Sequence, residues 1–135
     1  MRLALTRAGR SPAAVGYINA HGTSTPLNDA AETRAIRLAL GDAVAAIPVS
    51  STKSMTGHLT GAAGALEAIV TILAVAEGFL PPTINLDAPD PACDLHHVAH
   101  VGRRATPTLA LSTSFGFGGH NACLAFSKFD EAPPA

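Results

Sequence analysis

The chain has 135 residues, a length that allows at most one domain with a sizeable core. Hydrophobic residues make up 47% of it and charged residues only 14%, a composition that favours burial against another half-domain or subunit. The formal net charge of −1, without a basic stripe, argues against nucleic-acid binding. Two cysteines are too few for a disulfide scaffold, and the start has too short an apolar run for a signal peptide, so we expect a cytoplasmic protein.

Turn signals divide the chain into alternating strands and helices. The predicted elements, in chain order, are the end of a helix at residues 1–10, a strand at 15–19, a helix at 25–40, a strand at 47–50, a helix from 61 to Gly78, an irregular stretch at 83–105, and strands at 108–113 and 122–126. Strands alternating with helices and followed by a hairpin predict a layered α/β fold, with its loops grouped at one end of the sheet.

Two of these helices differ in how their apolar residues are distributed. In the helix at 25–40 we place Thr33, Ile36 and Leu40 on one face and Glu32 elsewhere. The segment 61–76 is almost wholly apolar, but it is shorter than the ~20 residues of a membrane-spanning helix, and a glutamate lies in its middle. We therefore predict a helix buried inside a protein and no membrane contact.

Two histidines follow predicted strands and stand beside glycine. His21 lies in Asn19-Ala-His-Gly-Thr-Ser-Thr, and His58 ends Lys53-Ser-Met-Thr-Gly-His. Small residues let a substrate approach an imidazole closely. One such histidine would more often be structural, but two in similar settings favour a site where neutral imidazoles donate hydrogen bonds to a developing oxyanion. Thr23 and Thr25 would bind a polar ligand, and for Thr25 capping of the next helix is equally compatible.

Lys53 lies in an uncharged stretch between an apolar strand and an apolar helix. A buried ammonium needs a partner. Glu67, alone in the apolar helix, is the first candidate, and Asp29 is the second. A structural ion pair and a direct catalytic role both remain open, since such a pair would also fix the electric field around His58.

Other candidates carry weaker signals. The loop Ser114-Phe-Gly-Phe-Gly-Gly exposes backbone N–H groups in a turn, although phenylalanines such as its two are more often core residues than functional ones. The three histidines between 96 and 100 offer no closed ligand set, so we expect no metal. Neither Cys93 nor Cys123 stands at a strand-to-helix turn where a nucleophile would be presented.

Four motifs together closely resemble the β-ketoacyl-[acyl carrier protein] synthases, and the fatty-acid type II condensing enzymes in particular. They are Asn19-Ala-His-Gly-Thr-Ser-Thr-Pro, the glycine-rich run from Ser51 to Gly64, Pro81-Pro-Thr-Ile-Asn-Leu86 and Ser114-Phe-Gly-Phe-Gly-Gly119. The resemblance extends from about 15 to 126 in matching order and spacing. It implies a partial thiolase-like fold, the C-terminal half only, with a truncated domain at 1–126 and a flexible tail at 127–135.

The resemblance also implies an activity, the decarboxylative Claisen condensation of an acyl thioester with malonyl-acyl carrier protein in fatty acid biosynthesis. His21 and His58 would promote decarboxylation and stabilise the enolate oxygen. Lys53 would organise the site electrostatically, linked to Glu67 and Asp29. The nucleophilic cysteine would belong to the missing half, so we expect the isolated chain to be inactive.

Substrate binding follows from the same resemblance. Thr23 and Thr25 would bind the pantetheine arm, and Phe117 would gate the acyl pocket and contribute to the oxyanion hole. The implied partners are acyl carrier protein and either the N-terminal synthase half or a homodimer partner, with no cofactor beyond the phosphopantetheine that carries the substrates. His120 stands where the family commonly has threonine.

Three other hypotheses remain. The chain could be a non-catalytic half-domain that docks on a synthase partner. It could come from a polyketide ketosynthase, although Ser24 and Pro26 fit the fatty-acid branch better. A stand-alone hydrolase using Cys93 is the weakest hypothesis, because no element presents that thiol as a nucleophile.

Overall fold

A mixed sheet with helices on both faces forms the framework of residues 1–129, the part of the chain that this computed structural model describes. The helices are α1 (Arg2–Arg7), α2 (Asn28–Leu40), α3 (Lys53–Thr56) and α4 (Ala63–Glu77). The strands are β1 (Tyr17–Asn19), β2 (Pro48–Ser50), β3 (Phe79–Leu80), β4 (His96–His97), β5 (Arg103–Arg104), β6 (Leu109–Phe115) and β7 (Asn121–Ser127). This arrangement confirms the predicted α/β class with a mixed sheet.

The main sheet has the order β4-β2-β1-β6-β7 in the described residues. The first four strands run parallel, and β7 pairs antiparallel with β6. In register, Asn19 at the end of β1 lies between Ser50 of β2 and Ser112 of β6. Because parallel strands end at the same sheet edge, the loops after β1, β2 and β6 meet there.

Alternate residues of the central strands bury opposite faces of the sheet. On one face Ile18 and Leu111 belong to a cluster with Ile36 and Leu40 of α2. On the other face Tyr17 and its neighbours in the sheet pack against α4. The result is a three-layer arrangement in which α2 and α4 lie on opposite sides of β1.

The two sides of α4 differ in exposure, and its exposed side carries large apolar residues. Its inner side buries Glu67 and Thr71, while Ile69, Ile72 and Leu73 on the outer side are about half exposed. By length and composition alone, the helical stretch Thr60–Glu77 could cross a membrane. The same test is passed by core helices, and the buried carboxylate on the inner side favours packing inside a protein.

Several boundaries and two short strand pairs differ from the sequence-based expectation. The helix predicted from 25 begins at Asn28. Within the stretch expected to be irregular, β4 pairs with β2 and β5 pairs with β3. The strands β4 and β5 have two residues each, too few for an alternating pattern. The strand β7 ends at Ser127, and the part of the predicted tail at 130–135 lies outside the described residues.

Candidate active site

The two motif histidines lie side by side at the sheet edge. The ring centroids of His21 and His58 are 5.3 Å apart, and the ring planes stand at 87°. His21 is buried, whereas His58 is exposed, and the ring of Phe115 lies 6.1 Å from that of His21. The predicted pairing of the two imidazoles is therefore present in the fold, and one side of the pair is open.

A glutamate that sequence reasoning placed elsewhere holds the first histidine loop. Glu32 is buried, and its carboxylate accepts hydrogen bonds from the backbone N–H of His21 (2.9 Å) and of Gly22 (2.8 Å). It also accepts from the hydroxyl of Thr113 (2.6 Å) and the amide of Asn28 (3.3 Å). The carboxylate therefore connects α2, the end of β1 and the end of β6 at one point.

The prediction that Glu32 lies away from the helix face of Ile36 and Leu40 was wrong, and the sequence pattern did contain a signal. Glu32, Ile36 and Leu40 are spaced by four residues, so they share one helical face. The sequence-based prediction gave more weight to the charge of Glu32 than to this spacing, because a glutamate on a buried helix face is rare unless several donors hydrogen-bond to it.

The first and second histidine loops are packed too closely to admit a side chain between them. Gly22 has a φ of +41°, and a Cβ there would lie 2.5 Å from Cβ of Ser51. The hydroxyl of Ser51 donates to the carbonyl of Gly22 at 3.0 Å. A glycine is thus required both by the backbone angle and by the neighbouring loop.

Lys53 and Glu67 form the buried ion pair that the sequence predicted. Lys53 Nζ contacts Glu67 Oε1, and both side chains are about 95% buried, with 5% and 4% exposed. Asp29, the second candidate partner, instead accepts from the backbone N–H of Ser24 and the amide of Asn28. The ammonium of Lys53 is therefore held by α4.

The environment keeps His21 neutral over most of the pH range. The pKa of His21 is lowered from 6.5 to about 4, first because burial penalises the charged form and then because of the positive charge of Lys53 and the neighbouring His58. Asp29 opposes this effect. A neutral imidazole carries one N–H, so His21 can donate a single hydrogen bond while keeping one nitrogen as an acceptor.

One hydrogen bond determines which nitrogen of a neutral His58 carries the proton. The backbone N–H of Thr60 donates to His58 Nδ1 at 3.0 Å. The proton of the neutral ring then resides on Nε2. Thr60 has a φ of +49°, a left-handed conformation that is unfavourable for a β-branched residue, so local strain accompanies this hydrogen bond.

The remaining predicted site residues are Thr23, Thr25 and Phe117. The hydroxyls of Thr23 and Thr25 are hydrogen-bonded to each other at 2.9 Å, and that of Thr25 also accepts the N–H of Asn28 at 3.4 Å. The side chain of Phe117 is fully exposed. The phenylalanine that lies next to His21 is Phe115. The residue pattern alone did not distinguish Phe115 from Phe117.

Within positions 1–129, no group of three or more histidine, cysteine, aspartate or glutamate side chains is placed to hold a metal ion. His97 Nε2 lies 2.6 Å from the carbonyl of Cys93, and His96 Nε2 lies 3.2 Å from a guanidinium nitrogen of Arg103. Burial and nearby aspartates raise the pKa of the Cys93 thiol, which weakens it as a nucleophile at neutral pH. Neither observation supports the hydrolase hypothesis.

Comparison with known proteins identifies relatives of this chain. Residues 1–87 match the family "Beta-ketoacyl synthase, C-terminal domain". The chain is 59% identical to 3-oxoacyl-[acyl-carrier-protein] synthase 2 of Synechocystis sp. over 126 residues, which cover 93% of this chain and 30% of that protein. The protein of the same name from Coxiella burnetii is 51% identical over 128 residues, which cover 95% of this chain and 31% of that protein.

Solved structures give the same result for the fold. A chain from a type II PKS acyl-carrier protein in complex with its ketosynthase superposes with a TM-score of 0.92 at 41% identity, covering 95% of this chain and 31% of that one. A β-ketoacyl synthase from Burkholderia phymatum superposes at 0.90 with 40% identity, covering 96% and 31%. These neighbours confirm the predicted thiolase-like ketosynthase fold. The chain spans about a third of the length of these relatives.

Proposed function

Because the chain belongs to the β-ketoacyl synthase C-terminal domain family, we propose that it supplies the decarboxylating part of a β-ketoacyl-[acyl carrier protein] synthase active site. The observation that carries the proposal is the pair of imidazoles, 5.3 Å between centroids, beside a buried Lys53–Glu67 pair. An N–H donor from each imidazole, directed at one thioester oxygen, would stabilise the negative charge that develops on it.

The proposed reaction has two steps, in each of which bonds form and break. In the first, the bond between the carboxylate and the α-carbon of a malonyl thioester breaks, carbon dioxide leaves, and the electron pair becomes an enolate. In the second, the enolate carbon attacks an acyl group on a cysteine of the remaining part of the protein. A carbon–carbon bond forms, the cysteine thioester bond breaks, and the thiolate leaves. His21 and His58 would hold the enolate oxygen during both steps.

Lys53 would act through its electric field and not by contact with the substrate. Its ammonium is paired with Glu67, and its charge helps to lower the pKa of His21. A neutral His21 is a hydrogen-bond donor that also avoids protonating the enolate carbon. Asp29 would moderate this effect, since its charge acts in the opposite direction.

Substrate delivery would involve the exposed side of the pair. The hydroxyls of Thr23 and Thr25 would bind amides of a pantetheine arm, and Phe117 would gate the acyl pocket with its backbone N–H in the oxyanion hole. The substrates would arrive on acyl carrier protein, and we expect no further cofactor. We also expect the protein in the cytoplasm.

About two thirds of the relatives' length is not matched by this chain. In our proposal, a segment corresponding to that part covers the apolar outer side of α4. Ile69, Ile72 and Leu73 are 55%, 47% and 48% exposed. Such a surface is characteristic of an interface core and not of a solvated helix. In this hypothesis the covering segment would also bring the nucleophilic cysteine.

A polyketide ketosynthase is the second candidate. The complex with TM-score 0.92 is a polyketide system, at 41% identity. Fatty-acid-type relatives reach 59% identity over 126 residues, which favours the fatty-acid assignment.

The test is reconstitution with the N-terminal two thirds of the Synechocystis relative. We expect the mixture to decarboxylate malonyl-acyl carrier protein and to form the β-ketoacyl product. His21→Ala and His58→Ala should each lower decarboxylation by about 100-fold or more. His96→Ala, an exposed histidine on β4, is the matched control and should retain activity. Equal rates for all three variants would contradict the proposal.

A further inference from the structure

The motif Pro81-Pro-Thr-Ile-Asn-Leu86 has no role in the proposed function, although it directly follows β3 and contacts the second histidine loop. Its two prolines have a restricted φ and no backbone N–H. The first two backbone donors of the motif are therefore the N–H groups of Thr83 and Ile84, and both are hydrogen-bonded. The motif is thus a stiff segment with defined partners.

The backbone of Thr83 is anchored at the edge of the main sheet. Its N–H donates to the carbonyl of Val98 at 2.8 Å, and its carbonyl accepts the N–H of His100 at 2.8 Å. The N–H of Val98 in turn donates to the carbonyl of Val49 in β2 at 2.9 Å. The side chain of Thr83 therefore extends from a fixed point of the fold.

Two hydroxyl groups connect the motif to the turn that precedes Lys53. The hydroxyl of Thr83 accepts the backbone N–H of Ser51 at 2.9 Å. The hydroxyl of Ser54 accepts the N–H of Ile84 at 3.0 Å and donates to the carbonyl of Ser51 at 3.0 Å. Ser51 is only 7% exposed, so bulk water would not replace a lost partner of its backbone.

The same turn contacts the first histidine loop and carries the buried lysine. The hydroxyl of Ser51 donates to the carbonyl of Gly22 at 3.0 Å and lies 3.4 Å from the carbonyl oxygen of His21. Lys53 begins α3 two residues later, and its ammonium is paired with Glu67. A displacement of Ser51 would therefore move the His21 loop relative to the charge of Lys53.

On the basis of the proposed function, we propose that Thr83 and Ser54 are positioning residues of the decarboxylating site. Their hydroxyls hold the turn at Ser51, and this turn fixes the first histidine loop and Lys53 relative to each other. Both hydroxyls bond to backbone groups, so their effect on the imidazoles passes through Ser51. The motif at 81–86 then serves as a support for the site, tied to the sheet on one side and to the turn on the other.

The part of the first histidine loop that would bind the pantetheine arm has a support of its own. The N–H of Ser24, between Thr23 and Thr25, donates to the carboxylate of Asp29 at 3.2 Å. The imidazoles, in contrast, would meet a charged oxygen only as decarboxylation proceeds. A looser turn at Ser51 should therefore lower kcat and leave the KM for malonyl-acyl carrier protein nearly unchanged.

The test measures decarboxylation of malonyl-acyl carrier protein by the mixture reconstituted with the N-terminal part of the Synechocystis relative. Thr83→Val removes the hydroxyl and keeps the shape of the side chain, and we expect kcat to fall about tenfold because the reacting groups are misplaced. KM should stay within about twofold. Thr83→Ser keeps the hydroxyl and should recover most of kcat. Ser54→Ala removes the second hydroxyl and should lower kcat in the same way, so the test does not depend on one variant.

Thr71→Val is the matched control, because the hydroxyl of this buried threonine donates to a carbonyl within α4 at 2.7 Å. It should keep the wild-type kcat. Amide resonances of the 135-residue chain report the geometry independently of activity. In Thr83→Val the N–H of Ser51 loses its acceptor, so its resonance should move upfield, and those of Gly22 and Thr23 should shift with it. Thr71→Val should leave these three resonances in place.

Different outcomes overturn the two proposals. A wild-type mixture without decarboxylation would overturn the proposed function and, with it, the catalytic effect of the two hydroxyls. An active wild-type mixture in which Thr83→Val and Ser54→Ala keep the wild-type kcat would overturn the positioning role alone. The positioning role would also be overturned by a loss that Thr83→Ser does not recover, or by an equal loss in Thr71→Val.

Discussion

The carboxylate of Glu32 holds the backbone of His21 and not its ring: the N–H of His21 donates to Oε1 at 2.9 Å. The adjacent N–H of Gly22 donates to Oε2 at 2.8 Å. The loop is thus fixed while the imidazole remains free to meet His58. A carboxylate with four donors is satisfied in a buried position, which explains why α2 can carry a charge on its inner face.

We predict that Glu32→Gln destabilises the chain by about 2 kcal/mol or more, because the NH2 group that replaces one carboxylate oxygen cannot accept a backbone N–H and the backbone donor facing it loses its partner. The measurement is urea unfolding, together with the amide shifts of His21 and Gly22. Glu77→Gln, the same change at an exposed helical position, should stay within about 0.5 kcal/mol. Similar losses in both variants would contradict the holding role of Glu32.

Gly22→Ala should be more damaging than Gly41→Ala. Both glycines have positive φ, at +41° and +59°, so both variants incur backbone strain of about 1–2 kcal/mol. Only at Gly22 would the new Cβ also meet a neighbour, Cβ of Ser51 at 2.5 Å, whereas nothing lies within 4 Å at Gly41. Thermal or urea unfolding of the two variants measures the difference. A difference near zero would mean that the two loops separate easily.

Lys53→Met should destabilise the chain by about 3–5 kcal/mol, because it leaves the carboxylate of Glu67 buried without its partner. The double variant Lys53→Met/Glu67→Leu should recover part of this loss. Arg37→Gln, which breaks an exposed ion pair, should cost about 1 kcal/mol or less. A double-mutant cycle by urea unfolding checks the coupling, and purely additive effects would refute it.

Acid should weaken the fold through His21. Its pKa is 6.5 in the unfolded chain and about 4 in the folded one. Between these values the unfolded state binds more protons, so the stability contribution is present above pH 6.5 and is lost as the pH falls towards 4. The slope from this one group is at most about 1.4 kcal/mol per pH unit. Unfolding free energies from pH 4 to 7 should be less pH-dependent in His21→Gln than in His96→Gln.

The sequence by itself determined the elements that depend on local pattern. Gly78 ends α4 in a left-handed conformation with φ +65°, as expected for a glycine after an apolar helix. The Lys53–Glu67 pair was predictable because each is the lone charge of an apolar stretch, and a buried charge requires a partner. The two histidine loops were recognisable from composition, since small residues flank each imidazole.

Only the tertiary structure decided the contacts made across the sheet edge. The parallel order of β2, β1 and β6 brings together Gly22, Ser51 and Thr113, which are far apart along the chain. The burial of Glu32 depends on donors from three elements that no local pattern reveals. The choice of Phe115 and not Phe117 as the neighbour of His21 likewise depends on how the loop after β6 turns. Local spacing fixes which residues share a helix face or a strand, but the partners of a buried polar group are set by strand order.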